Sequence, residues 1–113
     1  MIITTTETLP EKKIVKTHGL VRGNTIRARH FGKDILAFFK NLVGGEITEY
    51  TKLMAESREQ AIDRMRDEAV RLGANAVVGT RFTTSMVSQA AAEILAIGTA
   101  VTLEDDPDTP SNG

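Results

Sequence analysis

Apolar and polar positions change rhythm three times along this chain, and each rhythm predicts a different element. Ile2 to Thr6 is a short β-branched run that ends before Pro10, and Ile14-Val15-Lys16-Thr17-His18-Gly19-Leu20-Val21 has the alternation of a strand. Gly23-Asn24 signals a turn or bulge. Thr25 to His30 fits either an extended segment or a connector into a helix that begins near Gly32. From Lys33 to Val43 the apolar residues Ile35, Leu36, Phe38, Phe39, Leu42 and Val43 recur at helical spacing, and Gly44-Gly45 breaks the pattern. A second helix is predicted from about Glu46 to Leu72, with Ile47, Tyr50, Leu53, Met54, Ala61, Met65, Ala69 and Leu72 at three- and four-residue steps and Gly73 as its stop. Its length is on the order of 40 Å, so its far end is expected to bend or to reach another subunit. Ala74 to Met86 and Ala92 to Leu103 then read as two β-branched strands joined near Ser88-Gln89-Ala90 as an antiparallel hairpin.

The last strand carries an argument about assembly. Leu95, Ile97, Thr99, Val101 and Leu103 fall on one side, while Ile94, Ala96, Gly98, Ala100 and Thr102 fall on the other, so neither side is polar. A strand that is apolar on both faces has to be covered on both. Two helices suffice for one face of a small sheet, and a second copy of the chain is the expected cover for the other. The alternative is that the two helices sandwich the sheet.

The chain has 113 residues, 41% of them hydrophobic and 4% aromatic, with no Cys and no Trp. It therefore reads as a single domain over residues 1–103 with an aliphatic core, followed by an acidic, disordered tail over residues 104–113. That tail holds four acids and no base, which leaves the body slightly basic. Lys12 to Lys40 carries eight basic residues against Asp34 alone, whereas Glu46 to Arg71 carries seven acids and five bases. No segment has the pattern of a secretory leader or the length of a membrane helix, so a cytoplasmic location is expected. The missing cysteines remove thiolate nucleophiles, redox pairs and cysteine-based zinc or iron-sulfur sites.

The segments Gly19-Leu20-Val21-Arg22-Gly23-Asn24-Thr25, Arg27-Ala28-Arg29-His30, Asn41-Leu42-Val43-Gly44-Gly45-Glu46-Ile47, Leu72-Gly73-Ala74-Asn75-Ala76-Val77-Val78-Gly79 and Ala92-Glu93-Ile94-Leu95-Ala96 together resemble the YbjQ-like family of small bacterial and archaeal proteins. The resemblance spans nearly the whole chain to about Leu103. It implies an α+β fold with a two-layer, dodecin-like β-α-β-β subunit, an antiparallel sheet with helices on one face, assembled into a pentameric ring. The family bears a heavy-metal-binding label. This chain has Pro10-Glu11 where the family often has Pro-Gly, Ser88-Gln89-Ala90-Ala91 where a Gly-rich turn is common, Ile97 in place of an aromatic, and the bulky pair Phe38-Phe39.

Candidate chemistry is sparse. His30 and Asp34 stand four residues apart and share a helix face if the first helix starts early, which makes them the best local pair for a divalent metal. A third ligand would come from His18, Glu46 or Glu49 of the same or a neighbouring subunit. The competing reading has His30 capping a helix while Asp34 balances the basic segment. With no Cys, a soft heavy metal is poorly served.

The basic segment could bind phosphates, with Phe31, Phe38 and Phe39 stacking on bases. The favoured reading has those phenylalanines in the core, with Arg22, Arg27 and Arg29 paired to acids of the long helix or of the next subunit. Nucleic acid is accordingly not an expected partner, and a small anionic ligand between subunits is. Asn41-Leu42-Val43-Gly44-Gly45-Glu46 resembles an anion-cradling loop, but Glu46 satisfies the same N–H groups, and the lysine and hydroxyl of a P-loop are missing. Neither His18 nor His30 stands in a nucleophile context, and the charges of the long helix interleave as on a solvated face, so no catalytic residue is assigned and an enzyme is not expected. The sequence therefore predicts a homo-oligomer that binds a ligand or acts as a scaffold at subunit junctions lined by Arg22, Asn24, Arg27, Arg29 and Tyr50. The alternative is a metal-binding module built on symmetry-related His and carboxylate ligands.

Overall fold

The computed structural model describes residues 1–27, 48–88 and 91–106. In chain order the elements are β1 (Ile2–Ile3), β2 (Lys12–Arg27), α1 (Thr48–Arg71), β3 (Ala76–Ser88) and β4 (Ala91–Asp105). They form one sheet of order β1-β3-β4-β2 with α1 on one face. The helix predicted over residues 33–43 lies outside the described residues, as do residues 107–113.

β4 runs antiparallel to both β2 and β3, so β2 and β3 point the same way with β4 between them and α1 connecting them. The hairpin read from the sequence is present, in register through Ser88 opposite Ala91. The expected all-antiparallel sheet is corrected by β1, which pairs parallel to the outer edge of β3 and makes the sheet mixed. The extended alternative for Thr25 onward holds as far as Arg27. β4 also continues through Glu104 and Asp105, opposite Lys13 and Lys12. Asp105 finds a cationic partner there: Lys12 Nζ donates to Asp105 Oδ1 at 2.5 Å.

α1 buries a stripe of strict four-residue spacing, Ser57, Ala61, Met65 and Ala69. Three of the four are small, which lets the helix approach β2 closely. Gly23 is the contact point, since a Cβ there would overlap the backbone of Ala61 and Met65. Thr25 Oγ1 adds a 3.2 Å bond to the Ser57 carbonyl. Val21, Val77, Ile94, Ala96 and Ala100 complete this core from the sheet. Leu72, expected on the inner stripe, is instead exposed, because the chain leaves the helix at Gly73, whose φ is +86°.

The opposite face has a smaller core at one end, where Ala76, Val78, Val101 and Leu103 are covered by Leu9. Leu9 belongs to the segment that links β1 to β2. That segment is anchored on a bulge in β3, where one extra residue is accommodated around Gly79 and Thr80. Backbone N–H groups freed by the bulge donate to this segment, Gly79 N to Thr6 O at 2.8 Å and Thr80 N to Thr4 O at 3.0 Å. Glu11 turns the chain into β2 at φ +62°. This is a left-handed position that favours glycine, and it is the place where the family often has one.

Candidate functional site

Strand pairing fixes which residues share the face turned away from α1. Paired residues on neighbouring strands point the same way, so that face carries Leu20, Arg22, Asn24 and Ile26 from β2. Thr99, Ile97, Leu95 and Glu93 stand opposite them on β4, and Val78, Arg81, Thr83 and Ser85 follow on β3. Leu9 covers only the end near Val78. Beyond it no described residue covers the face: Leu20 is 58% and Ile26 53% exposed, while Leu95 and Ile97 are half-buried between their neighbours.

Polar groups stand among these apolar residues. Asn24 Nδ2 donates to Glu93 Oε2 at 3.0 Å. Arg81 Nη1 donates to the carbonyls of Thr5 and Thr80, at 2.8 Å each. Arg22 is exposed and makes no ion pair among the described residues. The sheet separates it from α1, so of the two expected partners, acids of the long helix or of the next subunit, the first is not met among the described residues. One acid of that helix, Asp63, pairs with Arg66 at 2.6 Å. Arg64 turns to the sheet and donates to the Asn24 carbonyl at 2.5 Å, over the outer edge of β2.

Of the residues read from the sequence as lining a junction, Arg22 and Asn24 come together on the open face. Arg27 ends β2 opposite Ala92, and Tyr50 stands in the first turn of α1 in the other layer. Arg29, His30 and Asp34 lie outside the described residues. His18 sits at a β2 bulge with Nε2 2.7 Å from Thr102 Oγ1 and its ring against Gly73, at the C-terminal end of α1. Glu49 belongs to the other end of this 24-residue helix, about 36 Å away, so within one chain His18 and Glu49 cannot share an ion. Among the described residues no group of three or more His, Cys, Asp or Glu is arranged to hold a metal. None of their helices is long and apolar enough to cross a membrane.

Arg81, Glu93, Leu20 and Ile26 escaped the sequence reading. Gly79 was the available signal, because a glycine inside a strand pattern marks a bulge and a bulge reverses which later side chains share a face.

Comparison with known proteins bears on the whole chain. A family model described as "Putative heavy-metal-binding" matches residues 1–104. A UPF0145 protein of Archaeoglobus fulgidus is 57% identical over 103 residues, covering 91% of this chain and 95% of that one. A UPF0145 protein of Clostridioides difficile is 58% identical over 106 residues, covering 94% and 95%. These names carry no enzymatic activity. A crystal structure of a protein of unknown function from Pediococcus pentosaceus, 14% identical, superposes with a TM-score of 0.63 over 92% of this chain and 98% of that one, which supports the fold. With the family model matched from end to end of the folded part and relatives above half identity, the chain belongs to the YbjQ family, whose members here bear the name UPF0145.

Proposed function

We propose that this protein is a self-associating subunit whose open sheet face meets another copy, and that it works as a ligand-binding or scaffolding assembly at that junction. The observation that carries this reading is the apolar content of the face turned away from α1, where Leu20 and Ile26 are exposed and Leu95 and Ile97 half-buried with no described residue over them, while α1 packs against the middle of the other face. A face of this kind is covered by a partner sheet about 10 Å away or by helices. Arg22 and Asn24 supply polar recognition within it. The pentameric ring implied by the family resemblance is one closed arrangement that provides such a cover.

Sedimentation of Leu20→Glu and Ile26→Glu variants beside the parent chain tests this. Both should shift to monomer while keeping their far-ultraviolet circular dichroism. Variants that associate as tightly as the parent would move the junction elsewhere.

The heavy-metal label of the matched family favours a second reading, a divalent ion held by His30 and Asp34 with symmetry-related partners. Native mass spectrometry with added zinc, before and after His30→Ala with Asp34→Ala, decides it. A metal adduct that survives both replacements sinks this assignment.

A further inference from the structure

The row of the open face that runs across three strands through Arg22, Ile97 and Arg81 carries two guanidinium groups and no carboxylate. β2 places Arg22 opposite Ile97, and β3 places Arg81 opposite the same Ile97. Both arginines therefore stand on one face, one strand to either side of an apolar residue, with Cα atoms about 10 Å apart. Arg81 is steadied by two carbonyl acceptors, and both are uncharged. Arg22 has no ion pair among the described residues. Asn24, Leu95 and Thr83 in the next row are neutral. Glu93, one row further, is engaged by Asn24.

Covering this face takes both cations out of water, and buried charge is tolerated only when it is paired. Among the described residues the face itself offers one carboxylate, Glu93, for two guanidinium groups, so where it meets the same face of another copy a positive charge is left over even if the neighbour's Glu93 turns onto Arg22. We infer that the Arg22, Ile97, Arg81 row is an anion site for a small oxyanion with two charged groups, one on each guanidinium. This rests on the reading that the open face is covered by another copy, and it names what the junction holds. Planar guanidinium forks accept carboxylate and phosphate oxygens in pairs, so a dicarboxylate and a diphosphate share the required chemistry. A monovalent anion engages only one end.

The test is sedimentation velocity of the full chain in chloride buffer at constant ionic strength, with adipate, pyrophosphate or acetate added. A dianion should tighten self-association about tenfold while acetate leaves it unchanged, and whichever dianion acts identifies the oxyanion. Arg22→Gln should abolish the response, and Arg22→Lys, which keeps the charge but loses the fork, should retain part of it. Association that no dianion moves, or a response that survives Arg22→Gln, overturns the site. If Glu93→Gln weakens association while dianions do nothing, the counter-charge is a neighbour's carboxylate and the anion site falls. A chain that stays monomeric in every buffer overturns the covering itself, which separates that failure from this one.

Discussion

Two residues carry a local conflict that a substitution can relieve. Glu11 holds a left-handed φ of +62° with a side chain that disfavours it. Glu11→Gly should raise stability by up to about 1 kcal/mol in urea unfolding, because the released strain exceeds the entropy that glycine gains in the unfolded chain. No change or a loss would place the cause of the turn elsewhere. Thr80 is 3% exposed, and its buried Oγ1, packed near Gly98, has no hydrogen-bond partner among the described residues. Thr80→Val removes the unpaired hydroxyl and should stabilise by about 1 kcal/mol, read as a higher melting temperature.

Asp105 titrates below its ordinary value of 3.8, through the hydrogen bond from Lys12 and then that cation's charge. A carboxyl lowered in the folded state adds stability above its unfolded pKa, and that stability is lost as pH falls through the folded value. The stability difference between the parent and Lys12→Met should therefore be present near neutral pH and close as pH falls below about 3.8. A constant gap would remove the ion pair as its cause. The pair is fully exposed on the acid side, so the difference should be small.

At the level of elements, the second helix, the hairpin and the β2 strand were legible because each has a clean period. α1 spans 48–71 where the periodicity predicts about 46–72. The parallel pairing of β1 was not legible, since two residues carry no orientation signal, and what positions them is a bulge in another strand. The dependence of α1 on Gly23 was hidden as well. The sequence marks Gly23-Asn24 as a turn or bulge, whereas Gly23 lies within the β2 ladder opposite Ala96, and its missing side chain serves the helix above it. Gly23→Ala should cost a few kcal/mol or more, because a methyl there meets helix backbone that cannot rotate away. Chemical denaturation measures this, and a variant as stable as the parent would mean that the helix rides higher over the sheet than described.

At the scale of the whole molecule, the two-sided apolar pattern of β4 already implied a second cover. The structure refines that argument. α1 packs the middle of one face, Leu9 closes one end of the other, and the rest of that face intersperses Leu20, Ile26, Leu95 and Ile97 with Arg22, Asn24, Glu93 and Arg81. Arg22 and Asn24 share a face because β2 runs through Gly23-Asn24, which the sequence marks instead as a turn or bulge. Arg81 and Glu93 were not legible, because knowing their face requires the register of three strands and the position of the Gly79 bulge. The metal pair His30 and Asp34 falls outside the described residues, so the open face is where the structure bears on function.

The most direct test is sedimentation velocity of the unmodified chain from about 1 to 100 μM, a range that brackets a micromolar dissociation constant. The account predicts a discrete oligomer that dissociates only toward the lowest concentrations. A single monomeric boundary across the whole range would contradict it.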